Sequence, residues 1–112
     1  MVGWSMGIRL IEQTELEHGN LEGYLFGASV SVIFEHTDRA GVGPRLHKHP
    51  YDETFVVYSG AARFTVGEEQ LVVQAGQIVI APALTPHKFV TLGEYRAHHI
   101  HAADRFETEW LE

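Results

Sequence analysis

The chain has 112 residues and a mass of 12.6 kDa, which allows one domain and excludes a two-domain enzyme or a TIM barrel. With 45% hydrophobic and 21% charged residues it has the composition of an ordinary globular protein, and its formal charge of -7 argues against a nucleic-acid partner, which requires a basic face. The absence of cysteine excludes disulfides, thiolate metal sites and cysteine nucleophiles. Apolar runs are too short to span a membrane, and MVGWSMGIRLIEQ does not read as a secretory signal, so a cytoplasmic protein without membrane partners is expected.

In chain order, Gln13–His18 is a weak helical candidate. Ser29–His36 alternates, with Val30, Val32 and Phe34 on one face. Short apolar runs follow at Thr54–Tyr58, Arg63–Val66, Gln70–Val73, Gln77–Ala81, Lys88–Thr91 and Tyr95–His101, each cut by glycine or proline. The tail, Asp104–Glu112, is a second weak helical candidate. Strands at this spacing predict an all-β antiparallel sandwich or barrel of about eight strands or more, forming one domain over residues 1–112. Its core is expected from residues such as Phe55, Val57, Phe64 and Ile78, with Trp4 and Trp110 as packing anchors.

Histidine usage is unusual. Eight are present, six of them at or beyond His47, and histidine is the commonest metal ligand and a proton carrier. His47 and His49 are two apart and share one face of an extended chain. Pro50-Tyr51-Asp52 breaks that strand, and Glu53 opens the next apolar run, expected to fold back beside the first. Two imidazoles and a carboxylate around one point suit a divalent metal. His87, following Pro82 and Pro86, is a fourth candidate.

These residues resemble the cupin superfamily, in particular its small single-domain bacterial members. Gly41, His47, His49, Glu53 and Gly60 occupy the five fixed positions of the first cupin motif, residues 41–60. Gly76, Pro82 and His87 match the second, residues 76–91, where Leu84 stands for a glycine and Thr91 for an asparagine. Leucine tolerates positive φ badly, so the Pro82–Pro86 loop is expected to take a different path; Thr91 can hydrogen-bond where asparagine would.

The resemblance implies an antiparallel jelly-roll (double-stranded β-helix) barrel and one divalent transition metal per chain, held by His47, His49, Glu53 and His87. Iron, manganese, nickel, cobalt, copper and zinc all suit such ligands. It also implies a homodimer that packs sheets and exchanges N-terminal strands, and a small-molecule ligand or substrate. A dioxygenase-type oxidoreductase leads the readings of function. A metal-dependent isomerase or lyase, and a non-catalytic small-ligand sensor, are the alternatives.

Six further residues are substrate-binding candidates: Arg45, Tyr51, Phe55, Phe89, His99 and His101. Arg45, two residues before His47, could share its inward face and pair with an anionic substrate or equally form an edge salt bridge, and most of the aromatic residues could be plain core. Alternation sets His99 and His101 on one face and His98 with Ile100 on the other. Whether the first pair lines a pocket or an outer face stays open. His18, His36 and the carboxylates Glu68, Glu69, Glu107, Glu109 and Glu112 are expected in solvent.

Overall fold

The computed structural model describes the backbone of Val2–Ser5 and all of residues 7–112. The described residues contain nine strands: β1 (Val2–Ser5), β2 (Ile8–Ile11), β3 (Ser31–Thr37), β4 (His47–Lys48), β5 (Glu53–Val66), β6 (Glu69–Gln74), β7 (Ile78–Ala81), β8 (His87–His101) and β9 (Glu109–Trp110). Every pairing is antiparallel. β1 and β2 form a hairpin of their own, and the other seven strands form one connected sheet.

That sheet is folded into two facing halves by its longest strands. β5 and β8 pair along nearly their whole length, from Glu53↔His101 to Val66↔His87. In one half they are flanked by β7 and β3, in the other by β6 and β4, with β9 on the outer edge of β4. The register shifts between Val57 and Ser59 and between Gly60 and Ala62, and at these irregularities the pair bends from one half into the other. Gly60 explains its own place in the motif. Its φ is +73, and a Cβ there would lie 1.7 Å from the Glu94 carbonyl oxygen, so only glycine permits the two strands to close at the bend.

The inward residues of β5 and β8 make the core. Phe55, Val57, Ala62, Phe64, Phe89, Tyr95 and Ala97 are buried. Phe55 meets Phe64 edge-on at 4.9 Å, while Phe64–Phe89 and Phe89–Tyr95 stack at 5.5 and 5.7 Å.

Several expectations need correction. Gln13–His18 forms only 3-10 turns at Gln13–Glu15 and Glu17–Gly19, and a third follows at Gly23–Phe26. The tail contains no helix; β9 instead pairs with β4. On β3 the inner face carries Ser31, Ile33 and Glu35, in register with His101, His99 and Ala97, so Val32 and Phe34 face outward. Both faces of β3 carry apolar residues, and pairing with β8 selects the one that turns inward. Ile78 and Ile80 are 62% and 56% exposed on the outer face of β7, not in the core. The Trp4 side chain lies outside the described residues.

Candidate metal centre

His47, His49, Glu53 and His87 are all buried, and one ligand atom from each lies within 4.8 Å of all the others. Three separate parts of the chain bring them together. His47 on β4 pairs with His87, the first residue of β8, and with Trp110 of β9. His49 follows two residues later on the same face, just before Pro50 ends the segment. Glu53 does not arrive by a hairpin against His47–His49, as the sequence suggested. Pro50–Asp52 turns the chain across the barrel, Asp52 accepts from the Ala83 amide at 2.8 Å, and Glu53 enters β5 opposite His101.

Backbone carbonyls set the imidazole tautomers. Nδ1 of His47, His49 and His87 lies 2.8, 2.8 and 2.9 Å from the carbonyl oxygens of Arg45, Glu107 and Thr85. A carbonyl only accepts, so each Nδ1 carries the proton and each neutral ring turns a bare Nε2 lone pair into the cluster. There the Nε2 atoms of His49 and His87 each stand 3.0 Å from Oε1 of Glu53. Lone pairs facing a carboxylate repel unless a proton or a metal cation lies among them. His49 Nε2 is fully buried and lacks a hydrogen-bond partner of good geometry. The residues present therefore fit a divalent transition metal: three aligned imidazole nitrogens, one carboxylate, and carbonyls behind the rings that fix their orientation.

In the metal-free site a proton on the imidazoles takes the cation's place beside Glu53. Burial works against ionisation of Glu53, yet the imidazoles of His101, His49 and His87 outweigh it and hold its carboxyl well below the usual range. Burial lowers the pKa of His47. Burial opposes protonation of His49 as well, but Glu53 and the Glu107 carbonyl prevail and raise it.

The cluster opens into a cavity of about 300 Å³. Phe55, Phe89, His99 and His101 line it. His99 and His101 thus take the inward face of β8, and His98 packs outside against Phe34 and Tyr58 at 5.2 and 4.9 Å. His99 is buried, lies 2.8 Å from the Tyr95 hydroxyl through Nε2, and is pushed down to about 4 by desolvation. Burial, with the charges of Glu35 and Glu53, raises the pKa of Tyr95 and keeps it a neutral phenol. His101 Nε2 is 3.1 Å from Oε2 of Glu53 but out of line for a hydrogen bond, while its Nδ1 lies 2.7 Å from the Tyr51 hydroxyl.

Two candidates lie elsewhere. Tyr51 is buried behind the site, stacked on His49 and held by the Glu107 amide, and it does not line the cavity. Arg45 does not share the inward face of His47. β4 begins only at His47, and Arg45 lies exposed with its guanidinium 4.9 Å from the Trp110 ring centre. Trp110 is not a buried anchor either: it is 51% exposed and lines the cavity against His47. His18 and His36 are exposed, as expected.

Sequence reasoning missed the rest of the wall. Ile33 and Glu35 come from β3, Val42 and Pro44 from the stretch before β4, and Phe106 from the tail. Only the alternation of β3, read in its other phase, could have indicated the first two.

The two departures from the second motif resolve differently. Thr91 is buried, donates to the Arg39 carbonyl at 2.7 Å and accepts from the Val42 amide at 3.0 Å, pinning the segment that forms the cavity wall. Leu84 does not divert its loop. It adopts the positive φ, 66, that glycine would, and its amide donates to the His49 carbonyl at 2.7 Å. Leucine in this conformation costs roughly 1–2 kcal/mol, and with 62% of it exposed little packing offsets that cost. Leu84→Gly is therefore expected to raise stability by about 0.5–1 kcal/mol after the entropic cost of glycine. Urea midpoints at unchanged slope measure it, and a lower midpoint would contradict the strain.

Comparison with known proteins agrees with this geometry. An uncharacterized protein of Streptomyces coelicolor is 40% identical over 55 residues, 49% of this chain, which spans about half (52%) of that protein's length. An oxalate decarboxylase of Lactobacillus farciminis, in a formate complex, superposes with TM-score 0.72 at 18% identity over 82% of this chain and 30% of its own. A salicylate 1,2-dioxygenase of Pseudaminobacter salicylatoxidans gives TM-score 0.65 at 16% identity over 72% and 25%. At these identities the likeness is one of fold. The Cupin domain family matches residues 34–103, a stretch that runs from β3 through the end of β8 and contains all four clustered residues. With its double-stranded β-helix and buried histidine–glutamate cluster, this chain belongs to the cupin domain family.

Proposed function

We propose that the protein is a metal-dependent oxidoreductase of the dioxygenase type acting on a small organic substrate, with one divalent transition metal per chain held by His47, His49, Glu53 and His87. The observation that carries this reading is the convergence of three imidazole Nε2 atoms and one carboxylate at the wall of a largely apolar cavity. Such a metal, when bound, supplies Lewis acidity and open coordination positions for substrate and dioxygen. The chain's own residues do the remainder. Phe55, Phe89 and Ile33 exclude water and press the substrate toward the cluster, and His99, neutral at pH 7, leaves the cavity without a second cation. The salicylate dioxygenase built on the same fold supports an oxygen-using reaction, and the decarboxylase is the reason to retain a lyase as the alternative.

Elemental analysis of the purified protein is expected to find close to one transition metal per chain, and the loaded protein is expected to consume oxygen with a panel of aromatic diols and hydroxy acids. Substrate turnover without oxygen uptake would assign it to the lyases or isomerases. Ligand binding without turnover would make it a sensor. Metal in neither the isolated nor the reconstituted protein would overturn the reading.

The same reading extends to assembly as a homodimer. Val32, Phe34 and Ile100 continue across the outer face through Val56 to Ile78 and Ile80, an apolar strip that a second copy would cover. Light scattering at micromolar concentration is expected to give twice the 12.6 kDa chain mass. A monomer would count against it.

A further inference from the structure

The cavity holds a group that the metal cluster does not use. Glu35, on the inward face of β3, lines it in register with Ala97 of β8. Ser31, His101 and Glu53 form one cross-strand row at the cluster; Ile33, His99 and Phe55 form the next; Glu35, Ala97 and Val57 form the third. Glu35 is therefore four residues along β3 from the cluster's row, about 13 Å of strand, with an apolar middle between the two polar ends.

Among the described residues no donor hydrogen-bonds to the Glu35 carboxylate and no cation pairs with it. Burial, and then the charge of Glu53, raises its pKa. A half-buried carboxyl without a partner is costly and contributes nothing to packing that an apolar residue would not. Neither lysine nor arginine lines the cavity. An anionic ligand would meet two carboxylates there and no side-chain cation. A ligand bearing a donor would satisfy Glu35 and bury its apolar body against Ile33, Val42 and Phe89.

We propose that Glu35 is the ligand-recognition residue of this cavity, and that the ligand is a small, mainly apolar molecule that presents a protonated amine or a hydroxyl group to it and carries no free carboxylate or phosphate at that end. The inference rests on the reading of the cavity as the substrate's place beside the metal. Its volume suits such a molecule, since an apolar cavity of about 150 Å³ holds a benzene and this one has about 300 Å³.

Four probes with one ring and different heads test it: benzylamine, benzyl alcohol, benzoate and toluene. Their affinities are measured by ligand-observed NMR on the metal-loaded protein and again after chelation, for wild type and for Glu35→Gln, a near-isosteric change. In the wild type benzylamine is expected to bind at least tenfold more tightly than toluene, with benzyl alcohol between them. Glu35→Gln is expected to bring that benzylamine-to-toluene ratio to within about threefold of unity without weakening benzoate. Its melting temperature should match or exceed that of wild type, because a partnerless carboxyl has been removed. An unchanged ratio, wild-type preference for benzoate in the chelated protein, no benzylamine binding at millimolar concentration, or a marked loss of stability in Glu35→Gln would each overturn the proposal. Failure of the metal reading shows separately, as absence of metal in the loaded samples, because the probe ratio in chelated protein is read without it.

Discussion

Replacing His49 by alanine is expected to abolish most of the stabilisation that a bound transition metal gives the folded chain. A metal present at a thousand times its dissociation constant stabilises by about 4 kcal/mol, which for a domain of this size raises the melting temperature on the order of 15 °C. His49 supplies one of the three Nε2 atoms, and its ring is already aligned by the Glu107 carbonyl and by stacking on Tyr51 at 4.9 Å. Without it the remaining ligands no longer close around the ion. The metal-free barrel should remain folded, because the core runs through Phe55, Phe64, Phe89 and Tyr95 rather than through the ligands. Thermal scans with and without chelator, for wild type and His49→Ala, measure the effect. If the variant kept the full metal-dependent rise, the cluster would be misassigned and His99 and His101 would have to be considered in its place.

The second large effect is expected in acid, and it belongs to the metal-free protein as well. His99 is buried between Phe55 and Phe89, with ring centres 4.6 and 5.1 Å away, and desolvation pushes it down to about 4. Its folded pKa lies below the unfolded value of 6.5. The stability it contributes is therefore complete above pH 6.5 and is lost as pH falls toward 4. The whole interval corresponds to about 3 kcal/mol. Glu53 adds to the loss at lower pH, since its carboxyl is held well below 4.5 by the surrounding imidazoles. His49 works in the opposite sense: its raised pKa favours the fold below 6.5 and ceases to do so as pH rises. The measurement is consequently a difference between proteins. Urea unfolding of chelated wild type and His99→Phe at a series of pH values should show a flatter profile for the variant between pH 6.5 and 4. Near pH 7.5 the variant should be about 1–2 kcal/mol less stable, because the Tyr95 hydroxyl loses its partner. Parallel profiles would mean that His99 does not titrate where its burial implies.

Local chemistry made part of this protein legible from its residues alone. Alternation and glycine spacing indicate an all-β barrel because each strand must bury one face and turn sharply at its end. His47, His49, Glu53 and His87 stand out because few arrangements other than a metal site place imidazoles and a carboxylate at those intervals, and the fold does gather them. Gly60 is readable for a similar reason, since a bend with no room for a Cβ admits one residue type. What the residues left undetermined is whatever depends on which surfaces meet. Alternation put Val32 and Phe34 on one face of β3 without saying which face is buried, because both faces carry apolar residues; pairing with β8 turns Ile33 and Glu35 inward. Arg45 seemed aligned with His47, but no strand extends back to it. Trp110 and Phe106 come to the cavity from a tail whose local pattern suggested a helix; pairing of β9 with β4 overrode that weak preference. Leu84 kept a glycine's conformation because the His49 carbonyl holds its amide. Ligand types and turn residues are properties of single positions and short intervals, as are the carbonyls two residues away that orient His47 and His87, whereas the cavity wall, the unpartnered Glu35 and the orientation of His49 by Glu107 come from contacts between distant segments that fold together as one barrel.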